Sequence, residues 1–335
     1  MNIAIVGATG NVGRKLIEVL EKRNFKISEL FLIASSKSEG KKINFNGKEH
    51  TVIDLEKFDF SKVKIAFFAA GSAIAEKWAN VAAEKTIVID NSKFFRKDPD
   101  IPLIVPEVNS KELAQVKNKN IIANANCSVI PVVVALKPLH DLYNIRRIVV
   151  STYQSVSGAG KAPLDELLSQ TQEYFENKKL ESKYFTKQIA FNAIPHIDSF
   201  LENGYTKEEQ KTTDEIKKIL DKKIKITSTC VRIPVLVSHS ISTNVEFNKK
   251  CNLEEIRNVL STSPGCKVVD EHKDGGYITP VEAEDKFETF ISRIRLDESQ
   301  PNTINLWIVS DNLLKGAALN AVEIAETLID KNFYG

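Results

Sequence analysis

The sequence is short of the features that mark several classes of protein. Its 335 residues hold four cysteines, Cys127, Cys230, Cys251 and Cys266, with no C-x-x-C spacing and no paired histidines nearby. Disulfide frameworks and zinc sites need such pairs. Neither is expected, and a reducing, cytoplasmic setting fits. Gly (14) and Pro (11) are too sparse for a fibrous or low-complexity chain. No run of about 18 apolar residues occurs, so a membrane span is not expected. The opening MNIAIVGATG enters a strand at once, with no charged segment ahead of an apolar run, so no signal peptide is expected either. Charge of one sign is also missing: 46 Lys and Arg stand against 44 Asp and Glu, a net +2. The basic stripe of a nucleic-acid binder is absent. Small molecules are the expected partners, not nucleic acid or membrane.

What is present is length enough for two domains. In the first half, short apolar runs (Asn2–Val6, Leu30–Ala34, Lys64–Ala69, Thr86–Ile89, Ile121–Ala123) alternate with helical periodicity over Val12–Glu21 and Ile74–Ala83. That alternation predicts a Rossmann-type doubly wound parallel sheet. After about Tyr143 the strand-like runs lengthen and alternate: Arg146–Gln154, Ile224–Val237, Ser240–Phe247, Phe287–Leu296 and Thr303–Val309. Helices are expected at Pro163–Phe175 and Thr212–Leu220. This is the pattern of an α+β domain on a mostly antiparallel sheet. The apolar spacing over Asn312–Asp330 predicts a long amphipathic helix that packs back onto the first domain. The expected division is 1–127 for a dinucleotide-binding domain, completed by 312–331, and 128–311 for a catalytic and dimerisation domain.

Two stretches carry chemistry. In I-A-I-V-G-A-T-G-N-V-G-R-K-L, Gly7, Gly10 and Gly13 follow a strand and open a helix. Glycines there allow a tight turn and close approach of the backbone to a pyrophosphate, and the helix N-terminus supplies N–H groups. A ligand-free glycine turn is the bland alternative, and the strand–turn–helix context disfavours it. The next strand ends Ile33-Ala34-Ser35-Ser36-Lys37-Ser38, without the carboxylate that holds a ribose 2′-OH. Hydroxyls and an ammonium suit a 2′-phosphate, which points to NADP; a solvated polar loop would look the same. In the second stretch, Ile121–Ile130, Cys127 leaves a buried strand and sits close to a helix N-terminus near Pro131, which favours the thiolate. A lone cysteine is more often a small buried hydrophobe, and Cys251 and Cys266 are read that way. Cys127 has polar neighbours instead: Asn124, Asn126 and Ser128.

N-A-N-C-S at Cys127, Y-Q-S-V-S-G-A-G (Tyr153–Gly160), P-H-I-D (Pro195–Asp198) and C-V-R-I-P-V (Cys230–Val235) with His239-Ser240 follow one another in the order seen in a known family. With the GATGNVG start, the stretch Phe95–Asn109 and the closing S-D-N-L-x-K-G-A-A-L-N-A-V, the chain resembles aspartate-semialdehyde dehydrogenases along nearly its whole length. The resemblance implies NADPH-dependent reductive dephosphorylation of L-aspartyl-4-phosphate to L-aspartate-4-semialdehyde through a cysteine thioester. That reaction feeds lysine and diaminopimelate, threonine, methionine and isoleucine synthesis. It implies Cys127 as nucleophile, His239 as acid/base and Gln154 as the amide orienting substrate. Arg232 would hold the α-carboxylate and Glu208 the α-ammonium. Lys211 and Arg96 would bind phosphate with Asn126 and Ser157 alongside, and Asn91 and Ser92 assisting. Gly7, Thr9, Gly10, Asn11, Val12, Gly13, Ser35, Lys37, Ser38, Gly158, Ala159, Gly160 and Asn312 would contact NADP, and a homodimer is implied.

The other histidines, His50, His140, His196 and His272, are expected to be structural. Glu208 and Lys211, three apart, would pass as an ordinary helix surface pair without the resemblance. The chain departs from the usual family pattern at Ala125 (commonly Pro), at Ser128-Val129 and at Lys37 (commonly Arg), and none of these removes a reacting group. An N-acetyl-glutamyl-phosphate reductase would share the thiol chemistry without needing Glu208. A silent dinucleotide-binding paralogue would have lost Cys127, His239 or Gln154. A zinc-dependent alcohol dehydrogenase lacks its ligand cluster.

Overall fold

The computed structural model describes residues 1–332. The chain divides into two compact units, Met1–Asn126 with the segment from Ala317 onward, and Cys127–Gly316.

The first unit is built on a seven-stranded sheet in the order Ile53–Asp54, Glu29–Ala34, Asn2–Val6, Ile65–Phe68, Ile87–Asp90, Ile121–Asn124, Leu103–Ile104. Every junction is parallel. The strands are near-continuous apolar runs, as parallel strands covered on both faces must be; Ile3, Ala4, Ile5, Ala66 and Phe67 are fully buried. Strand Asn2–Val6 lies between Glu29–Ala34 and Ile65–Phe68, the second and fourth strands of this sheet in chain order, so the order reverses beside it. Ligands of open α/β sheets bind beyond strand ends at such a reversal, and Gly7 is the next residue.

The second unit carries a six-stranded sheet in the order Lys225–Arg232, Ile145–Gln154, His239–Phe247, Thr303–Ser310, Thr289–Leu296, Cys266–Val268. Two junctions are parallel and three antiparallel, which makes the sheet mixed and mostly antiparallel. Helices Val129–Tyr143, Lys207–Ile219 and Leu253–Thr262 pack on it. Val129–Tyr143 is buried on nearly every side and accommodates Pro131 in its first turn. Pro138 in its interior cannot donate to Val134 O, and Cys266 Sγ donates there instead at 3.7 Å.

The structure alters four expectations. The strand predicted over Ile224–Val237 ends at Arg232, because Pro234 has no N–H to continue the ladder and centres a tight turn in which Val235 N–H bonds Ile233 O. The helix expected from Thr212 starts at Lys207, where Thr206 and Glu209 cap each other reciprocally. The segment expected as one helix from Asn312 opens with a π turn over Leu314–Ala318, and the α-helix runs Leu319–Asp330. Cys251 and Cys266 are half-buried rather than core. Among the described residues no helix is long and apolar enough to cross a membrane.

Candidate active site

Strand register gathers the site at one edge of the second unit's sheet. Gln154 and Arg232 are paired at the ends of two parallel strands. His239 opens the antiparallel neighbour of Ile145–Gln154 and pairs with Ser310, two residues before Asn312. Three strand termini and the turn after a fourth strand thus present Gln154, Arg232, His239 and Asn312 together. Cys127 precedes the N-cap of helix Val129–Tyr143, and its Sγ lies 3.2 Å from His239 Nε2.

The imidazole is entirely buried, and its Nδ1 accepts the Ser155 backbone N–H at 3.1 Å. Burial, helped by the Arg232 charge and opposed by Glu208, pushes His239 down to about 3. His239 is therefore neutral at rest. Gly158 lies against the ring: a Cβ there would fall 3.3 Å from Cε1 and Nε2. Gln154 Nε2 donates toward Ser128 Oγ at 3.2 Å and Glu208 Oε1 at 3.4 Å, linking the cysteine's helix to the charged residues.

Those charges form a chain. Lys211 Nζ is 2.6 Å from Glu208 Oε2 and 3.1 Å from Asp198 Oδ2. Burial works against the ammonium, but the two carboxylates outweigh it and raise the Lys211 pKa. Arg232, 6% exposed, donates Nη1–H to Ser155 O at 2.6 Å, and burial lowers its pKa while Glu208 opposes the shift. Asn312 Oδ1 accepts Ser238 N–H at 2.8 Å and the Ser155 hydroxyl at 3.0 Å. Ser157 exchanges hydrogen bonds with the same amide. Ala159 closes the short turn Val156–Ala159, and Gly160, at φ 109°, leads into helix Lys161–Phe175.

The remaining predicted residues belong to the first unit. Gly7 turns at φ 90°, and a Cβ on it would lie 2.6 Å from Ala69 O; one on Gly13 would lie 2.2 Å from Gly7 O. Thr9 belongs to this turn, and Asn11 and Val12 start helix Asn11–Lys22, whose N-cap, Gly10, offers no side-chain cap. Its first N–H groups suit an anion, so this loop fits a dinucleotide. Ser35 and Lys37 are exposed and Ser38 half-buried, in a turn after strand Glu29–Ala34. Arg96 is buried and donates Nη2–H to Asn91 O at 3.1 Å, while Ser92 hydrogen-bonds Asp90. Asn126 is buried at the end of this unit.

Profiles of the semialdehyde dehydrogenase NAD-binding domain and of the semialdehyde dehydrogenase dimerisation domain match residues 2–116 and 136–315. An aspartate-semialdehyde dehydrogenase of Aquifex aeolicus is 50% identical over 98% of this chain and 97% of its own. That of Rickettsia bellii is 48% identical, again over 98% and 97%. The crystal structure of aspartate semialdehyde dehydrogenase II from Vibrio cholerae superposes with a TM-score of 0.96 at 48% identity, covering 98% of each chain. A further structure of it, with the same similarity, is complexed with ASA. The chain belongs to the aspartate-semialdehyde dehydrogenase family.

It is accordingly an oxidoreductase, and its nucleotide-binding profile matches the unit that carries the Gly7–Gly13 loop. Several residues of this family member escaped the sequence reading. Ser155 stood inside a quoted motif without a role, and Asp198 likewise, though it holds Lys211 from a left-handed backbone at φ 67°. Gly316 lies against Cys127 across 189 residues of chain, which no local pattern encodes. In the first unit Asn320 donates to Asn124 Oδ1 at 2.6 Å, and Asn124 donates to Asn91 Oδ1 at 2.7 Å; Asn320 sits among apolar helix residues, and a polar interruption of that kind was the available signal. Among the described residues no cluster of three or more His, Cys, Asp or Glu would hold a metal.

Proposed function

We propose that the protein reduces L-aspartyl-4-phosphate to L-aspartate-4-semialdehyde, releasing phosphate, with NADPH as hydride donor. The observation that carries the reading is the 3.2 Å approach of Cys127 Sγ to His239 Nε2, beside a buried guanidinium and the Glu208–Lys211 ion pair. Cys127 attacks the acyl phosphate carbonyl and phosphate leaves, forming a thioester. Reduced nicotinamide, when bound, supplies the hydride that takes this carbonyl to the hemithioacetal level. His239 moves protons at Sγ and at the hemithioacetal oxygen. Collapse returns the thiolate and frees the aldehyde.

The substrate has three charged groups to satisfy. Arg232 pairs with the α-carboxylate, Glu208 with the α-ammonium, and Lys211, Arg96, Asn126 and Ser157 with the phosphate. Gln154 orients the carbonyl. On the cofactor, Gly7, Thr9, Gly10, Asn11, Val12 and Gly13 take the pyrophosphate, and Ser35, Lys37 and Ser38 the 2′-phosphate. Gly158, Ala159, Gly160 and Asn312 serve the nicotinamide end. The first unit then acts as the NADP-binding domain and the second as the catalytic and dimerisation domain of a homodimer, a role supported by the profile over residues 136–315. Four free cysteines fit a reducing, cytoplasmic location. The product serves lysine and diaminopimelate, threonine, methionine and isoleucine synthesis.

The test is a spectrophotometric assay of the reverse direction with aspartate semialdehyde, phosphate and NADP, run beside NAD and N-acetylglutamate semialdehyde. Phosphate-dependent NADPH formation with aspartate semialdehyde alone is expected. Turnover of the N-acetylated substrate instead would overturn the substrate assignment, since that substrate has no α-ammonium for Glu208 to hold.

A further inference from the structure

Ser155 touches His239 and Arg232, two members of the proposed site, through three of its own groups. Its backbone N–H donates to His239 Nδ1 at 3.1 Å, its hydroxyl oxygen is also 3.1 Å from Nδ1, and its carbonyl accepts Arg232 Nη1–H at 2.6 Å. The residue is fully buried. We propose that Ser155 is a positioning residue that sets which nitrogen of His239 carries a proton, its backbone favouring one state and its hydroxyl permitting the other. The inference rests on the thiol mechanism above.

An N–H aimed at Nδ1 needs a lone pair there, so the resting neutral ring carries its proton on Nε2, facing Cys127 Sγ at 3.2 Å. In that tautomer Nε2 has no lone pair and cannot take the thiol proton. For Nε2 to accept it, the ring's own proton must sit on Nδ1. Transfer then breaks S–H and forms Nε2–H, giving a thiolate and an imidazolium with no proton gained or lost by the pair. The Nδ1–H of both working forms needs an acceptor, and the Ser155 hydroxyl is placed to be one. Its own proton is taken by Asn312 Oδ1 at 3.0 Å. A hydroxyl can turn from donor to acceptor and a backbone N–H cannot. The charged and titratable groups around the ring are the Cys127 thiol ahead of one helix, Glu208 on another and Arg232 at a strand end. Burial and Arg232 oppose the imidazolium and outweigh Glu208 and a backbone hydrogen bond at Ser238, so a neutral acceptor at Nδ1 supports a charge that the surroundings otherwise disfavour.

Two measurements test this. In the 15N-histidine spectrum of the wild-type protein, with the His239 signals assigned by their loss in His239→Asn, the resting ring should show its proton on Nε2. A resting Nδ1–H signal would overturn the proposal. The second compares Ser155→Ala with Ser155→Thr in the reverse assay and in the pH dependence of Cys127 alkylation by iodoacetamide. Losing a hydrogen bond to a charged group should lower kcat in Ser155→Ala about tenfold to a hundredfold. The alkylation midpoint should move to higher pH, with KM for semialdehyde and NADP little changed. Ser155→Thr, which keeps the hydroxyl, should recover most of both. Equal losses in the two variants, or a wild-type alkylation profile in Ser155→Ala, would overturn the role of the hydroxyl. Cys127→Ser separates the levels: if it retains turnover the thiol mechanism itself fails, and if it is inactive while Ser155→Ala behaves as wild type, only the present inference does.

Discussion

Gly316 lies against Cys127 so closely that a Cβ built on it would fall 2.9 Å from Cys127 Cβ and 3.2 Å from Cys127 Cα. The residue belongs to the π turn Leu314–Ala318, in which Gly316 N–H reaches back to Asp311 O. Gly316→Ala must therefore push Cys127 or the turn aside. A shift on the order of 1 Å at a reacting group costs about a hundredfold in rate, and crowding of this kind about 1–3 kcal/mol in stability. Kinetics together with urea denaturation should show both. Wild-type kcat in this variant would mean that Cys127 does not need its present position.

Cys127→Ser keeps the shape of the site and removes the thiol. Turnover should be lost, while NADP affinity, measured by fluorescence titration, should stay close to wild type, because the proposed cofactor loop belongs to the other unit. Sustained turnover would exclude a thioester.

Arg232→Lys retains the charge and loses the planar fork that pairs with a carboxylate through two parallel hydrogen bonds. It also loses the geometry of the bond to Ser155 O. We expect KM for aspartate semialdehyde to rise about tenfold or more, the equivalent of one charge-assisted hydrogen bond, with NADP affinity unaltered. Equal damage to both would reassign the residue.

His239 should make the fold sensitive to acid. Burial holds its pKa at about 3 against an ordinary 6.5, so the unfolded chain binds a proton that the native state refuses. Its contribution to stability is complete above the unfolded value and is lost as pH falls from there toward the folded one. Urea midpoints should drop between pH 7 and pH 4 (about the window set by these two values). His239→Gln should flatten that slope, and an unchanged slope would place the acid sensitivity elsewhere.

The first unit was legible because its signals are local. Apolar runs such as Ile3–Val6 and Ile65–Phe68 can only be strands covered on both faces, and Gly7 and Gly13 occupy positions where a side chain would meet backbone. The second unit's strands were legible from alternation, but the exit after Arg232 was misjudged because the apolar run continues past Pro234 while the ladder stops. The capping pair Thr206 and Glu209 was readable in the sequence and would have placed the helix start correctly. The π turn was not: its apolar spacing matches an α-helix, and only packing decides between them. Of the site, motifs and the family resemblance supplied the members. The register that aligns Gln154, Arg232 and His239 is a property of the sheet, and no single segment contains it.

The Glu208–Lys211 pair, with Asp198 behind it, gives the site a threshold. Before anything binds, both charges already have a partner, so under the proposed roles a ligand enters by trading partners and not by filling a vacant socket. A molecule bearing both an ammonium and an anion can make the trade without leaving either side chain bare. One bearing only an anion draws Lys211 from the buried Glu208 and returns no cation to it, and an uncompensated ion there is costly. Discrimination against simple carboxylic aldehydes would then come less from what the site grips than from what it refuses to let go.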